Sequence, residues 1–264
     1  MKRRKRSKWP KRLMLIRHGE SAFNRLKKDK AKNALYQEFE AAYKQNPASE
    51  KTQRLARKVW KALPLDVSDA QTPLTAEGRR QAKETGAALR KKKTKVPHVI
   101  LVSPYCRTKA TLRQLMVGWP ELAKVKVYEE ERLREWEIGL RGRYHDWRIF
   151  NALHPEQREL REQEGAYWYR LPQGENLPDL RERLRSLIGT LIREFRGKRV
   201  LIVAHHMTIL ALRANLERLD QEEFERIDHE EKPINCGVTL YKGKKRKGTR
   251  GKLCLKYYNR KYYD

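Results

Sequence analysis

Arg17, His18 and Gly19 follow directly on the apolar run Leu13-Met14-Leu15-Ile16, so a guanidinium, an imidazole and a turn residue stand where a strand ends. In α/β proteins ligands bind at the carboxyl ends of strands, and glycine lets the backbone pass close to a bound group. Two more apolar runs end in the same way. Val99-Ile100-Leu101-Val102 leads into Ser103-Pro104-Tyr105-Cys106-Arg107-Thr108, and Val200-Leu201-Ile202-Val203-Ala204 leads into His205-His206. Each of these residues alone reads as an ordinary surface or packed group; three convergent strand ends are hard to explain as packing.

The chemistry these types can do is phosphoryl transfer. Arg17 and Arg107 each present a planar fork of donors to phosphate oxygens, and His18 and His205 add imidazoles. A neutral imidazole nitrogen attacks phosphorus while the flanking cations balance the charge of the group in transit, which is chemically sufficient without a metal or other cofactor. His18 is the expected nucleophile. The leaving alkoxide then needs a proton, and Glu130-Glu131-Arg132-Leu133-Arg134-Glu135 places carboxylates just after a short strand. Glu135 is the expected proton donor, with Glu130, Glu131 and Glu137 not separable from it on composition.

The elements that must position these groups are legible as periodic segments. Strands are predicted at about 12–16, 99–102, 125–128, 199–204, 237–241 and 253–257. Helices are predicted from Ser21, from a Thr75 cap, and over 107–116, 177–195, 207–216 and 221–227. Residues 26–63 read as a helical insertion: Leu35, Phe39, Ala42 and Tyr43 share one face, Leu55, Val59 and Leu63 another, and Pro47-Ala48-Ser49 separates two helices. Residues 136–176 read as a variable lid, in which Tyr144, His145, Trp147 and Trp168 either line a substrate cleft or pack beneath a helical excursion. Apolar strands alternating with helices predict one α/β domain over 12–258, with a mostly parallel central sheet, a disordered basic tail at 1–11 and a short tail at 259–264.

At 264 residues the chain can bury a large core, and its net charge of +29 draws polyanions. Residues 1–12 hold eight basic side chains and Lys242 to Lys252 seven, without an acid, so salt-dependent contact with RNA or another polyanion is a secondary expectation beside a solvated basic surface. No apolar run reaches the roughly 18 residues of a membrane span, and the basic N-terminus lacks a secretory apolar segment, so no membrane association and a cytoplasmic location are expected. Cys106, Cys236 and Cys254 have no metal-ligand spacing and suit a reducing compartment.

As an ordered set, Arg17-His18-Gly19-Glu20-Ser21 with Asn24, Leu74-Thr75-Ala76-Glu77-Gly78-Arg79-Arg80-Gln81-Ala82, Ser103 to Thr108, and Ala204-His205 resemble the histidine phosphatase superfamily, also called phosphoglycerate mutase-like. The resemblance covers about 12–258. It implies a three-layer α/β/α sandwich, a phosphohistidine at His18, a phosphate held by Arg17, Asn24, Arg107 and His205, and Glu135 as proton donor. The segments Tyr169 to Asn176 and Glu223 to Gly237 resemble phosphatase-like members. His206 departs from the pattern, standing where the family usually has glycine; it either crowds the pocket or faces the adjacent helix. The functions in view are a metal-independent phosphomonoester hydrolase acting on a phosphorylated small molecule, a phosphoglycerate-type mutase, and a basic RNA-binding or scaffolding protein on this fold.

Overall fold

A computed structural model describes residues 8–64, 67–244 and 251–264. In chain order the elements are β1 (Arg12–Arg17), α1 (Ala22–Lys30), α2 (Ala34–Gln45), α3 (Glu50–Ala62), α4 (Ala76–Lys91), β2 (Val99–Val102), α5 (Cys106–Gly118), β3 (Val127–Glu129), α6 (Trp147–Leu153), α7 (Pro155–Glu164), α8 (Leu177–Glu194), β4 (Arg199–Ala204), α9 (His206–Glu217), α10 (Gln221–Glu230), β5 (Val238–Lys244) and β6 (Lys252–Arg260). They divide into two compact units, one of residues 1–21, 73–135 and 180–264, the other of 22–72 and 136–179.

The first unit holds a six-stranded sheet in the order β3-β2-β4-β1-β5-β6. β3, β2, β4 and β1 run parallel; β5 and β6 are antiparallel additions. Strand runs without polar alternation are what a sheet buried on both faces requires. Met14 and Ile16 join Ile100, Val102, Leu201 and Val203 in one core with Leu89 of α4 and Leu112 and Leu115 of α5. Their neighbours Leu13, Leu15, Leu101 and Ile202 point to the other face and are equally buried. The register then does the positioning. Arg17 lies opposite Ala204 and Val102 opposite Val203, so β1, β2 and β4 end level and deliver Arg17-His18, Ser103 and His205 to one edge.

Two expectations about the ends are corrected. Residues 1–7 lie outside the described residues, but Trp9 to Lys11 are built into the sheet unit. Gly197 donates to the Trp9 carbonyl, Lys11 donates to Lys198, and Gly243 donates to Lys11, which extends the β1 ladder on both sides. At the other end β6 continues to Arg260, Tyr262 packs on the core and the Tyr263 hydroxyl donates to the Asn235 carbonyl (2.8 Å), so 259–264 is docked chain. β5 and β6 pair with Lys244 opposite Lys252, and the basic turn at 245–250 lies outside the described residues.

The second unit joins the insertion to the variable segment. Asn33 and Ser49 cap α2 and α3, and Tyr36, Phe39, Ala42, Leu55, Ala56 and Val59 share a core with Ile149 and Ala152 of α6. Asp146 caps α6, pairs with Lys30 (2.5 Å) and accepts from the Tyr36 hydroxyl (2.8 Å). Tyr144 is a packing residue: its ring lies 5.1 Å from Trp60 and 6.0 Å from Phe150, and its hydroxyl meets His154 (2.8 Å). His145 takes a left-handed conformation at the end of a short 3-10 helix, while Trp147 and Trp168 are exposed.

Candidate active site

The turn after β1 is shaped by a backbone crossing. A Cβ on Gly19 would lie 2.3 Å from the Gly78 carbonyl oxygen, and one on Gly78 would lie 2.1 Å from that of Glu20, so both positions exclude any side chain. Around the crossing, Thr75 caps α4 through its hydroxyl to Gly78 N–H, donates to the buried Glu20 carboxylate (3.0 Å), and its own N–H donates to the Glu20 carbonyl (2.9 Å). The Glu20 N–H is taken by Gln81 and the Gly19 N–H by Thr111 (both 3.0 Å). The segment from Leu74 to Ala82 is thus the clamp that aims Arg17 and His18.

His18 is buried, and its Nδ1 lies 2.7 Å from the Gly19 carbonyl oxygen. A carbonyl only accepts, so Nδ1 carries the hydrogen and the Nε2 lone pair is left for another partner. Burial first, then the charges of Arg107 and Arg17, hold this imidazole well below the usual histidine range, which keeps it neutral and nucleophilic. His205 is fully buried, its ring 5.3 Å from that of His18. Arg107 Nε–H donates to His205 Nδ1 (3.2 Å), so Nε2 carries the hydrogen and donates to Ser103 Oγ (2.8 Å). Both ring nitrogens of His205 are therefore engaged, and its direct effect is to orient the Arg107 guanidinium. Burial, followed by Arg107, also pushes its pKa well down. Tyr105 packs against both groups, its ring 4.9 Å from the guanidinium and edge-on to the imidazole at 5.0 Å.

Arg17 donates to the Pro233 carbonyl (2.6 Å) and keeps a buried Nε with no hydrogen-bond partner among the described residues. Burial lowers its pKa, with Glu135 opposing and Arg107 adding to the shift. The loop before β5 completes the cradle: Asn235 donates to the His18 carbonyl (3.0 Å) and Cys236 N–H to that of Arg17 (3.1 Å). Glu135 sits at the start of α9, where Thr208 N–H (3.2 Å) and Met207 N–H (3.4 Å) donate to its carboxylate. A helix N-terminus suits a carboxylate.

The sheet unit thus brings Arg17, His18, Arg107, His205 and Glu135 together. Asn24 is on α1, in the second unit. Glu130 is tied to Arg132 (2.7 Å) and the exposed Glu131 to Arg134 (3.1 Å). His206 turns to α10, its Nε2 2.8 Å from the Asp228 carboxylate. Sequence reasoning missed the partners that fix these groups: Thr111, Thr208, Asn235 as a backbone clamp, and Arg183. Thr111 had a signal, lying one helical turn after Arg107; Arg183 is one of several arginines on a charged helix and had none.

The model of the histidine phosphatase superfamily (branch 1) matches residues 39–251, and the chain belongs to that superfamily. The phosphoglycerate mutase-like protein AT74H of Arabidopsis thaliana is 28% identical over 242 residues, 83% of this chain and 70% of that protein. A Serratia proteamaculans protein named "Probable phosphoglycerate mutase GpmB" is 30% identical over 66% of this chain and 81% of its own length. The solved alpha-ribazole phosphatase of Shigella flexneri is 19% identical, with a TM-score of 0.64 over 96% of this chain and 98% of that one. A mycobacterial glucosyl-3-phosphoglycerate phosphatase solved with inorganic phosphate is 21% identical, TM-score 0.61, over the same shares. At these identities the two structures show a shared fold, the mostly parallel α/β sheet flanked by helices. No described helix is long and apolar enough to cross a membrane.

Proposed function

We propose that this protein hydrolyses phosphomonoesters of small molecules by passing the phosphoryl group through His18. The observation that carries the reading is the tautomer of His18: Nδ1–H is committed to the Gly19 carbonyl, and Nε2 keeps its lone pair beside two guanidiniums. Arg17 and Arg107 hold the phosphate oxygens. Nε2 attacks phosphorus, the N–P bond forms, and the ester P–O bond breaks as Glu135 gives its proton to the leaving oxygen. In the second half Glu135 takes a proton from water, the water oxygen bonds phosphorus, and the N–P bond breaks to release phosphate.

A mutase shares the first half and hands the group to another hydroxyl; the names of the two relatives favour it. One experiment separates the readings. The protein is incubated with a panel of phosphoesters in the presence of chelator, acid-quenched, and assayed for phosphoenzyme, inorganic phosphate and rearranged ester. We expect a phosphoenzyme and released phosphate; in His18→Ala the phosphoenzyme disappears and turnover falls at least about a hundredfold. Rearranged ester without phosphate release supports the mutase, and undiminished turnover in folded His18→Ala refutes both.

Polyanion contact is a separate property that we assign to α3. Lys51, Arg54, Arg57, Lys58 and Lys61 are all exposed along this helix, and none forms an ion pair among the described residues. On α4, α8 and α10 basic residues pair with acids: Arg80 with Glu77 and Glu84, Arg185 with Glu182, Arg226 with Glu230. On α3 the spacing instead makes five like-charge neighbours at i,i+3 or i,i+4, a cost of about 0.2–0.5 kcal/mol each that a phosphate chain would relieve. The apolar face of α3 is buried in its own unit, so it has nothing to insert into a bilayer; an RNA backbone is the partner that fits.

A further inference from the structure

We propose that Arg183 is a positioning residue for Glu135, holding the turn that carries the proton donor while touching neither substrate nor phosphate. The inference rests on the assignment of Glu135 in the proposed mechanism. Its basis is a convergence of hydrogen bonds on the stretch Arg132 to Glu135. That stretch leaves a short 3-10 helix, Glu131–Leu133, whose last carbonyls have no partner within it. One guanidinium collects the Arg132 carbonyl and two that follow the helix: Arg183 Nη1 donates to the Arg132 carbonyl (2.7 Å) and the Arg134 carbonyl (3.1 Å), and Nη2 to the Glu135 carbonyl (3.3 Å).

The same turn is held at two other points. Arg132 reaches back to α8 through Ser186 Oγ (3.2 Å) and Thr190 Oγ1 (3.1 Å), and Leu133 is fully buried beneath. From α9, Thr208 Oγ1 donates to the Arg134 carbonyl (2.8 Å), the atom Arg183 also grips, and the Thr208 N–H binds the Glu135 carboxylate itself. Arg183 thus fixes the backbone of Glu135 and Thr208 its carboxylate. A planar fork with five donors can satisfy three carbonyls at once, which a lysine ammonium on a flexible stem does far less rigidly. Glu135 is also the last residue of the 73–135 segment of the sheet unit, so this clamp holds it where the support from β3 ends. The charge of Arg183 is felt at His205, which puts it near the reacting groups.

Proton donation matters in proportion to how poor the leaving group is, so a residue acting through Glu135 carries the same signature. The experiment measures kcat and KM for an alkyl phosphate and for p-nitrophenyl phosphate in wild type, Arg183→Gln, Arg183→Lys, Glu135→Gln and the double variant Arg183→Gln/Glu135→Gln. Misplacing a catalytic group by about 1 Å can cost up to about a hundredfold. We expect Arg183→Gln to lower kcat about tenfold on the alkyl ester and no more than about threefold on the aryl ester, with KM little changed. In the Glu135→Gln background the same change should cost no more than about twofold, because the group it positions is already gone. Arg183→Lys keeps charge and stem and should fold even if Arg183→Gln does not; it should show the same leaving-group bias in weaker form. Equal losses on both esters, additivity with Glu135→Gln, or a wild-type Arg183→Lys would each overturn the positioning role. Failure of the underlying mechanism reads differently: Glu135→Gln itself would then show no bias between the two esters.

Discussion

Lowering the pH should unfold this protein through the two imidazoles at the heart of the site, by an amount that can be worked out. Burial and the neighbouring guanidiniums depress both His18 and His205 well below the ordinary value, whereas in the unfolded chain each titrates near pH 6.5. Between the two values protons bind only the unfolded chain, so the stability is fully present above about pH 6.5 and drains away as the pH falls toward the folded pKa. If both rings stay neutral in the folded site at pH 5.5, each contributes a loss of about 1.4 kcal/mol relative to pH 7.5, together about 2.8 kcal/mol. The assay is urea unfolding at the two pH values in a buffer free of phosphate and sulfate, because an anion between Arg17 and Arg107 would stabilise the folded state by mass action. His98 is depressed too, by its own burial, so the comparison that isolates the site is with His18→Asn and His205→Asn. Each should remove about 1.4 kcal/mol of the difference, whatever it does to stability at pH 7.5. Variants that lose as much between pH 7.5 and 5.5 as the wild type would show that these imidazoles are not held neutral, and with that the nucleophile argument would fail.

Gly78→Ala should destabilise the protein by about 1–3 kcal/mol even though alanine favours a helix by about 1 kcal/mol, because the new methyl meets backbone atoms of Glu20 that cannot step aside. Thermal melting and turnover should fall together as the turn bearing His18 is displaced; a more stable variant with normal turnover contradicts the backbone crossing. Replacing Lys51, Arg54, Lys58 and Lys61 by Gln should leave turnover of a small phosphoester unchanged. The same variant should make the salt dependence of RNA binding shallower by about 2 in log–log slope, as expected when about three phosphates lose their partners. An unchanged slope, or binding that tracks acidic vesicles or acidic proteins instead, removes α3 from the role assigned to it.

What the sequence by itself determined is local. Apolar runs closed by Arg17-His18, Ser103 and His205 read as strand ends because burial on both sheet faces leaves a continuous apolar signature within a few residues. The Thr75 cap and the break at Pro47 were equally readable, being decided by groups three or four residues apart. The order of these segments carried the family likeness. Tertiary structure alone decided what joins across long separations. The insertion and the segment after Trp136 are one unit, since Lys30 and Tyr36 meet Asp146 and Trp60 meets Arg143, more than eighty residues away. The glycine demanded at 78 looks like a poor helix residue until the Glu20 backbone is seen against it. The same holds for protonation: which nitrogen of His18 and of His205 carries hydrogen depends on the Gly19 carbonyl, on Ser103 and on Arg107. Residue types name the chemistry available; a hydrogen bond acts over about 3 Å, so only the folded chain selects the atom that performs it.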